Sequence, residues 1–502
     1  MSSHESAVPP RRFEPWSRYA QRFSGRTIHV LGIASTESTA FVEAVSAVAS
    51  PQLVLHDFSP TLQDAEHSFH RTHVALSAET RRQKFAQLRA SLVDVRLGPR
   101  YLKDISEGEF IFAPQSWDLY ANNAPLVDLF PSQPERFISL LGIYLQCLPC
   151  PVVGITGTNG KTTVTSLAVA LLEAAGVPVV VGGNHRYFSQ LLPNIAEVSP
   201  SHVAVLEVSH KHLTTLERGP DVAVVTNVEG DHLDELPLPA YVARKRRLVE
   251  ALPPDGWAVL NVDCPVARSF AEGLAERTFR VSLQEAPGLL GGFVDEQDFV
   301  IRRPDHELRV PRHASALLGP HNRTNALLAL AVASLWTQDT AALERGLRDF
   351  RTVKHRLEFL RTLDGVKVYD DTASTSPAAT RAAVLALFAE GQRPVCIIGG
   401  RDKNNDWGPL AAALQECARA VVLLEGTAAA ALESALHSEL PLHRARDLRE
   451  ALAVALSAAS PGDSVVVSPA GAGFQTQHAL EGQDGLRQLV RRWTRDSGPK
   501  TD

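Results

Sequence analysis

The fold is decided at residues 152–168, which read VVGITGTNGKTTVTSLA. Val152, Val153 and Ile155 form an apolar, β-branched run that predicts a buried strand. A loop carrying Gly157 and Gly160 follows. Lys161, Thr162 and Thr163 then open an apolar helical stretch through Leu167, Ala168 and Leu171. Strand, glycine loop, Lys-Thr and helix together make a phosphate cradle. Glycines let backbone N–H groups approach phosphate oxygens, and the helix N-terminus adds partial positive charge. Lys161 is placed to reach the β- and γ-phosphates, and the Thr162 hydroxyl to bind Mg²⁺. The general pattern G-x-x-x-x-G-K-[ST] wants glycine at 155, where Ile155 stands, so the loop is a variant.

The chain around this cradle has 502 residues, too many for one ordinary core, and length predicts about three domains. With 44% hydrophobic and 21% charged residues, the composition is that of a globular protein. A net charge of −6 gives no general push towards nucleic acid or membrane. Neither a transmembrane run nor the apolar core of a signal peptide is present, so we expect a cytoplasmic protein with a loose extension over residues 1–25. Five cysteines make no disulfide framework, and the single CxxC, Cys147 to Cys150, reads as a linker rather than a zinc site.

Residues 26–33, a turn through Thr36, a helical stretch from Phe41 to Val48 and the Leu53–Leu55 run ending at Asp57 read as β-α-β. Gly32 stands alone where a dinucleotide-binding turn has three glycines. Residues 60–100 are polar and helical in pattern, and Phe110–Ala113 reads as a short strand before Pro114 and Gln115. Beyond the phosphate loop, strands are predicted at Val177–Val181, His202–Val208, Asp221–Val228 and Ala258–Asp263. The second of these ends near Glu207 and Ser209, and the third near Asp231 and His232. Ligands gather at the carboxyl ends of such strands, so Glu207 and His232 are expected to converge on the loop. Residues 285–312 read as a small β excursion. A second alternation of strands and helices, with strands at Val366–Tyr369, Val395–Ile398, Val421–Leu424 and Ser464–Val467, predicts a further Rossmann-like sheet. The expected organisation is α/β in three domains: residues 26–150, 151–351 and 352–502.

The variant loop TGTNGKTT, the stretches EVS at 207–209 and TNVEGDHLD at 226–234, G-P-H-N-R-T-N at 319–325 and HRLE at 355–358 resemble the Mur ligase family. The resemblance runs from about residue 26 to about residue 490. It implies a Rossmann-like domain for a UDP-sugar, a central P-loop ATPase-like parallel sheet, and a C-terminal Rossmann-like domain that brings an amino acid.

The resemblance also implies site residues. Gly157, Thr158, Asn159, Gly160, Lys161, Thr162 and Thr163 are expected to hold ATP, with Asn322, Asn325, Arg356 and Asp371. Thr36, Asp57, Asn184, Ser209, Thr375 and Lys403 are expected on the substrates. Two Mg²⁺ ions fall to Thr162, Glu207, His232 and Lys245, the last in Y-x-x-x-K and expected to carry a CO₂-derived carbamate. Lys161, Glu207, His232 and Lys245 make the catalytic set. Asn322 has an alternative reading as a helix N-cap.

Within the family, HRLE followed by DDTASTSPAAT, with Lys403 after GGRD, is similar to the branch that adds D-glutamate to UDP-N-acetylmuramoyl-L-alanine. The implied reaction is ATP-dependent amide formation through an acyl phosphate in peptidoglycan precursor synthesis. The expected protein is a monomer with no nucleic-acid partner and no membrane insertion. Departures stand at Gln115, where glycine is usual, and at His210-Lys211-His212, where S-F-Q is usual. Further departures are Ala373, where the branch has lysine, and Gly473, where it has serine. They keep open L-glutamate or another amino acid. Two other classes also stay open: a nucleotide-binding regulatory protein that has lost ligation, and a nucleic-acid binder resting on Arg244–Arg247.

Overall fold

The computed structural model describes residues 6–73, 76–184, 190–231, 235–283, 290–436, 440–474 and 485–493. They build three sheets along the chain. The first has five parallel strands in the order Asp94–Leu97, Gln52–Asp57, Thr27–Leu31, Phe110–Phe112 and Phe137–Ile138. The second has nine strands, with Val152–Thr156 between Val203–Glu207 and Val222–Val225. The third has six strands, with Ser464–Ala470 between Val366–Asp370 and Pro394–Gly399.

The strand entering the phosphate loop is buried at every position, which is why it reads as continuous apolar sequence rather than an alternation. The following helix, Lys161–Ala174, buries Val164, Leu167, Ala168 and Leu171 against the sheet. Burying each of the valine and leucine side chains is worth about 1.5–3 kcal/mol. The helix Pro320–Ala333 packs against it and is buried along most of its length.

The β excursion expected at 285–312 is present from Gly291 onward and belongs to the central sheet. Gly291–Val294 adds in parallel to Thr278–Val281, and Asp298–Arg302 and Glu307–Pro311 follow antiparallel, so all three extend the central sheet. The pattern at 60–100 hides a strand, Asp94–Leu97, after the helices Leu62–Thr72 and Ala78–Ala90; only Val95 of its four residues is buried. Two edge strands, Glu358–Leu363 and Leu442–Ala445, are also half-exposed and lack an apolar run.

The extension expected to be loose is packed from residue 6 onward. Val8 is buried in the central core, Ala7 N–H donates to Leu335 O at 2.9 Å, and Trp16, Ala20 and Phe23 enter the first domain's core. Arg11 supplies the physical reason. Its buried guanidinium bonds the Leu145 carbonyl and, at 2.6 Å, the Asp221 carboxylate, which also accepts the Val152 N–H at 2.8 Å. A buried charge held this way is costly to release.

Candidate functional site

The phosphate loop needs its glycines. Gly157 has φ +150°, and a Cβ there would sit 1.9 Å from Thr226 Oγ1; Gly160 has φ +83°, and a Cβ there would sit 2.5 Å from Asn325 Oδ1. Asn325 is thus pressed against the loop. Asn227 braces it from the other side, its Oδ1 accepting the N–H groups of Thr158 at 3.2 Å and Asn159 at 2.8 Å. The Thr226 hydroxyl donates to Asn159 O at 2.5 Å. Thr162 and Thr163 lie buried in the first helical turn.

Lys161 folds back over the loop and donates to Gly157 O at 2.9 Å and Thr158 O at 2.8 Å. Burial lowers its pKa; Glu207 and Asp231 oppose that, while Arg356 and Lys403 add to it. Lys161, Arg356 and Lys403 therefore crowd one region with positive charge, an arrangement suited to a polyphosphate. Glu207 is buried at the end of its strand. Its Oε1 accepts from Asn184 Nδ2 at 3.2 Å, and its Oε2 is buried with no hydrogen-bond partner among the described residues. Such an atom is costly unless something completes it. A carboxylate oxygen at the end of the strand paired with the one that enters the loop fits a hard cation. Asn184, expected on substrate, here orients Glu207.

Lys245 is almost wholly buried. Its Nζ donates to Gly157 O at 2.6 Å and lies 4.6 Å from the centre of the Tyr241 ring. The i, i+4 spacing on the Leu238–Glu250 helix puts the two on one face. Burial, and then the Lys161 charge, push the Lys245 ammonium well below its ordinary pKa, against a pull from Asp231. This favours the neutral amine over the ammonium. His232 lies outside the described residues.

The third domain reaches back to the loop. Arg356 donates to Thr162 Oγ1 at 3.2 Å, and Lys403 donates to Asp231 at 2.5 Å, both ends buried. Asp371, expected on the nucleotide, is turned inward: it accepts Leu357 N–H at 2.9 Å and Ser468 Oγ–H at 2.6 Å, fixing the turn that carries Arg356. Burial raises its pKa to about 6. Thr375 is exposed on the loop before the Pro377–Ala389 helix. The alternative reading of Asn322 as an N-cap does not hold, since Gly319 takes that place. Its Nδ2 donates to Leu318 O at 2.8 Å, and its Oδ1 accepts from Asn325 at 3.1 Å, which steadies Asn325.

In the first domain, Asp57 pins the turn after the first strand, accepting Ile33 N–H at 2.8 Å and Ser59 N–H at 2.9 Å. Thr36 is exposed at the start of the Thr36–Val48 helix. Ser209 bonds Gln115 and His212 rather than facing open space. The arginines of 244–247 are engaged internally. Arg244 pairs with Asp118, Arg246 bonds Ser269 at 3.0 Å, and Arg247 bonds the carbonyls of Thr214 and Leu216. Of these contacts, Arg244 reaches the first domain, while those of Arg246 and Arg247 stay within the central one. Cys147 and Cys150 are buried and unpaired, and burial raises both thiols. No helix among the described residues is long and apolar enough to cross a membrane.

Sequence reasoning missed Asn227, Asp231 and Tyr241 as members of this site. All three lay within or beside stretches it had singled out: Asn227 and Asp231 follow a strand end, and Tyr241 stands four residues before Lys245 on the same helix.

These features define an ATP-type phosphate-loop protein of three α/β units, whose third unit carries cations to the loop of the second. Residues 155–333 match the Mur ligase middle domain and 355–471 the Mur ligase glutamate ligase domain. A UDP-N-acetylmuramoylalanine--D-glutamate ligase from Symbiobacterium thermophilum is 34% identical over 81% of this chain and 88% of the relative. One of the same name from Acidobacterium capsulatum is 38% identical over 64% of this chain and 69% of the relative. Among solved structures, a pseudomurein peptide ligase type C from Methanothermus fervidus superposes with a TM-score of 0.56 at 18% identity, over 93% of this chain and all of the other. The UDP-N-acetylmuramate-alanine ligase of Thermotoga maritima gives 0.56 at 18%, over 93% and 99%. The chain belongs to the Mur ligase family. Like the rest of that family it is an ATP-dependent, ADP-forming amide ligase that works with Mg²⁺.

Proposed function

We propose that this enzyme joins D-glutamate to UDP-N-acetylmuramoyl-L-alanine in cytoplasmic peptidoglycan precursor synthesis, as a monomer. The observation that carries the reading is Lys403, a buried cation delivered by the third domain to 2.5 Å from Asp231 beside the phosphate loop. A cation so placed suits a carboxylate of an incoming acidic amino acid. The curated relatives at 34–38% identity carry the same activity in their names.

ATP lies with its phosphates on the loop N–H groups, and Lys161 leaves the carbonyls of Gly157 and Thr158 to meet them. The acceptor carboxylate attacks the γ-phosphorus, the bond to the β-phosphate oxygen breaks, and ADP separates from an acyl phosphate. Arg356 and Lys161 offset the charge that moves, since phosphoryl transfer is mostly positioning and charge neutralisation. The amine of glutamate attacks the acyl carbon and sheds a proton, and phosphate leaves. Mg²⁺ held by Thr162 and Glu207, with a second ion at His232 and a carbamylated Lys245, supplies charge neutralisation when bound. Lys245 is suited to carbamylation because its amine is buried and its pKa lowered. Thr36 and Asp57 are assigned to the nucleotide end of the acceptor, and Ser209 to its path towards the loop. Thr375 and Lys403 are assigned to the amino acid.

L-Glutamate is the second reading. Ala373 removes the lysine of the D-glutamate-adding loop. Gly473 removes a hydroxyl, and its φ of +71° is one that serine rarely adopts. A panel of UDP-sugar acceptors against amino acids, read by ADP release, tests the assignment. Release only when a muramoyl-alanine acceptor and glutamate are both present supports it. Release that needs neither overturns it.

A further inference from the structure

The departures at Gln115 and at His210–His212 meet in space. Ser209 N–H donates to His212 Nδ1 at 3.2 Å, so the neutral ring carries its proton on Nε2. That nitrogen donates to Glu37 Oε1 at 3.1 Å, and Glu37 Oε2 accepts the Gln115 N–H at 2.9 Å. The Ser209 hydroxyl donates to Gln115 Oε1 at 3.2 Å, closing a ring of four residues. Glu37, Ser209 and His212 are buried. Glu37 and Gln115 belong to the first domain; Ser209 and His212 follow the central strand that ends in Glu207.

We infer that Glu37 and His212 are positioning residues that fix the acceptor-binding domain against the segment leading from Glu207. They set the distance between the acceptor's nucleotide end and its reacting carboxylate. Glu37 follows Thr36 directly, and Ser209 lies two residues beyond Glu207, so the ring spans the two ends the acceptor must bridge. The arrangement shares the connectivity of a Ser–His–carboxylate relay. The Ser209 hydroxyl, however, caps the 210–212 turn and bonds Gln115, so it serves as an anchor rather than a nucleophile. A second contact leaves the domain docked when the ring is cut: Asp118 accepts from Thr214 Oγ1 at 3.1 Å and pairs with Arg244. Loss of the ring therefore loosens the geometry without separating the domains.

The kinetic half of the test rests on the proposed acceptor; the exchange half does not. His212→Ala, His212→Gln and Glu37→Gln are made in the full chain, with the double His212→Gln/Glu37→Gln variant. Hydrogen exchange is followed without ligands over residues 113–118, which include the Gln115 amide. KM is measured separately for UDP-N-acetylmuramoyl-L-alanine and ATP. In His212→Ala, exchange over 113–118 rises and acceptor KM increases about tenfold, a change typical of coupled neighbours, while ATP KM moves less than about twofold. His212→Gln, which keeps a donor, recovers part of both. The double variant is no worse than Glu37→Gln alone. Unchanged exchange, or equal changes in both KM values, overturns the inference. Failure of the wild type to use the acceptor overturns the proposed function instead, and the exchange result still decides the ring.

Discussion

Lys403 of the third domain donates to the carboxylate of Asp231 in the central domain at 2.5 Å, and both groups are buried. The pair closes one domain on the other at the point where the incoming amino acid is assigned. Lys403→Met leaves Asp231 buried without its ammonium and removes the cation for the substrate carboxylate. We predict a rise of at least about tenfold in glutamate KM, with acceptor KM little changed, since a hydrogen bond to a charged group is typically worth about 1.5–3 kcal/mol. Steady-state kinetics with each substrate varied in turn checks this; an unchanged glutamate KM contradicts it.

Lys161→Ala removes the one cationic side chain of the phosphate loop. Groups aimed at developing charge are typically worth about 2.7–4 kcal/mol, so kcat falls about 10²–10³-fold or further. ADP formation at the wild-type rate in the variant would remove Lys161 from the site.

Lys245→Ala is expected to be inactive and partly restored by short-chain carboxylic acids, which replace the carbamate. The motive is a buried amine held at 2.6 Å from Gly157 O with its pKa lowered. Full activity without added acid shows that the lysine is structural only.

Asp371 gives a pH signature. Its folded pKa of about 6 lies above the ordinary 3.8. A raised carboxyl pKa means that the folded state holds the proton more tightly. The stabilisation is complete below about 4 and is lost as pH rises through about 6. Asp371→Asn does not titrate, so its melting temperature rises relative to wild type between pH 4 and 6 and holds level above. The gain is up to about 3 kcal/mol for a shift of about two units. Parallel melting curves across that range contradict the burial argument.

Much of this architecture was legible in the sequence, for reasons that particular residues make plain. Val152–Thr156 is buried at all positions, so it reads as an unbroken apolar run, and the glycines after it are forced by contacts with Thr226 and Asn325. Asp94–Leu97 and Leu442–Ala445 were invisible because edge strands bury only one or two side chains each. Packing of the N-terminal segment turns on Arg11 meeting Asp221, 210 residues away, which no local pattern encodes. The same holds for Asp371. Its position was readable, but that it faces Leu357 and Ser468 depended on the fold.

Amide formation between a muramoyl-alanine acceptor and glutamate is tested most directly by ADP release with D-glutamate and L-glutamate offered separately alongside UDP-N-acetylmuramoyl-L-alanine. The account predicts release that requires both the acceptor and glutamate and is faster with the D isomer. Preference for L-glutamate would change the named stereoisomer while leaving site and mechanism standing. Acceptance of neither isomer would contradict the account.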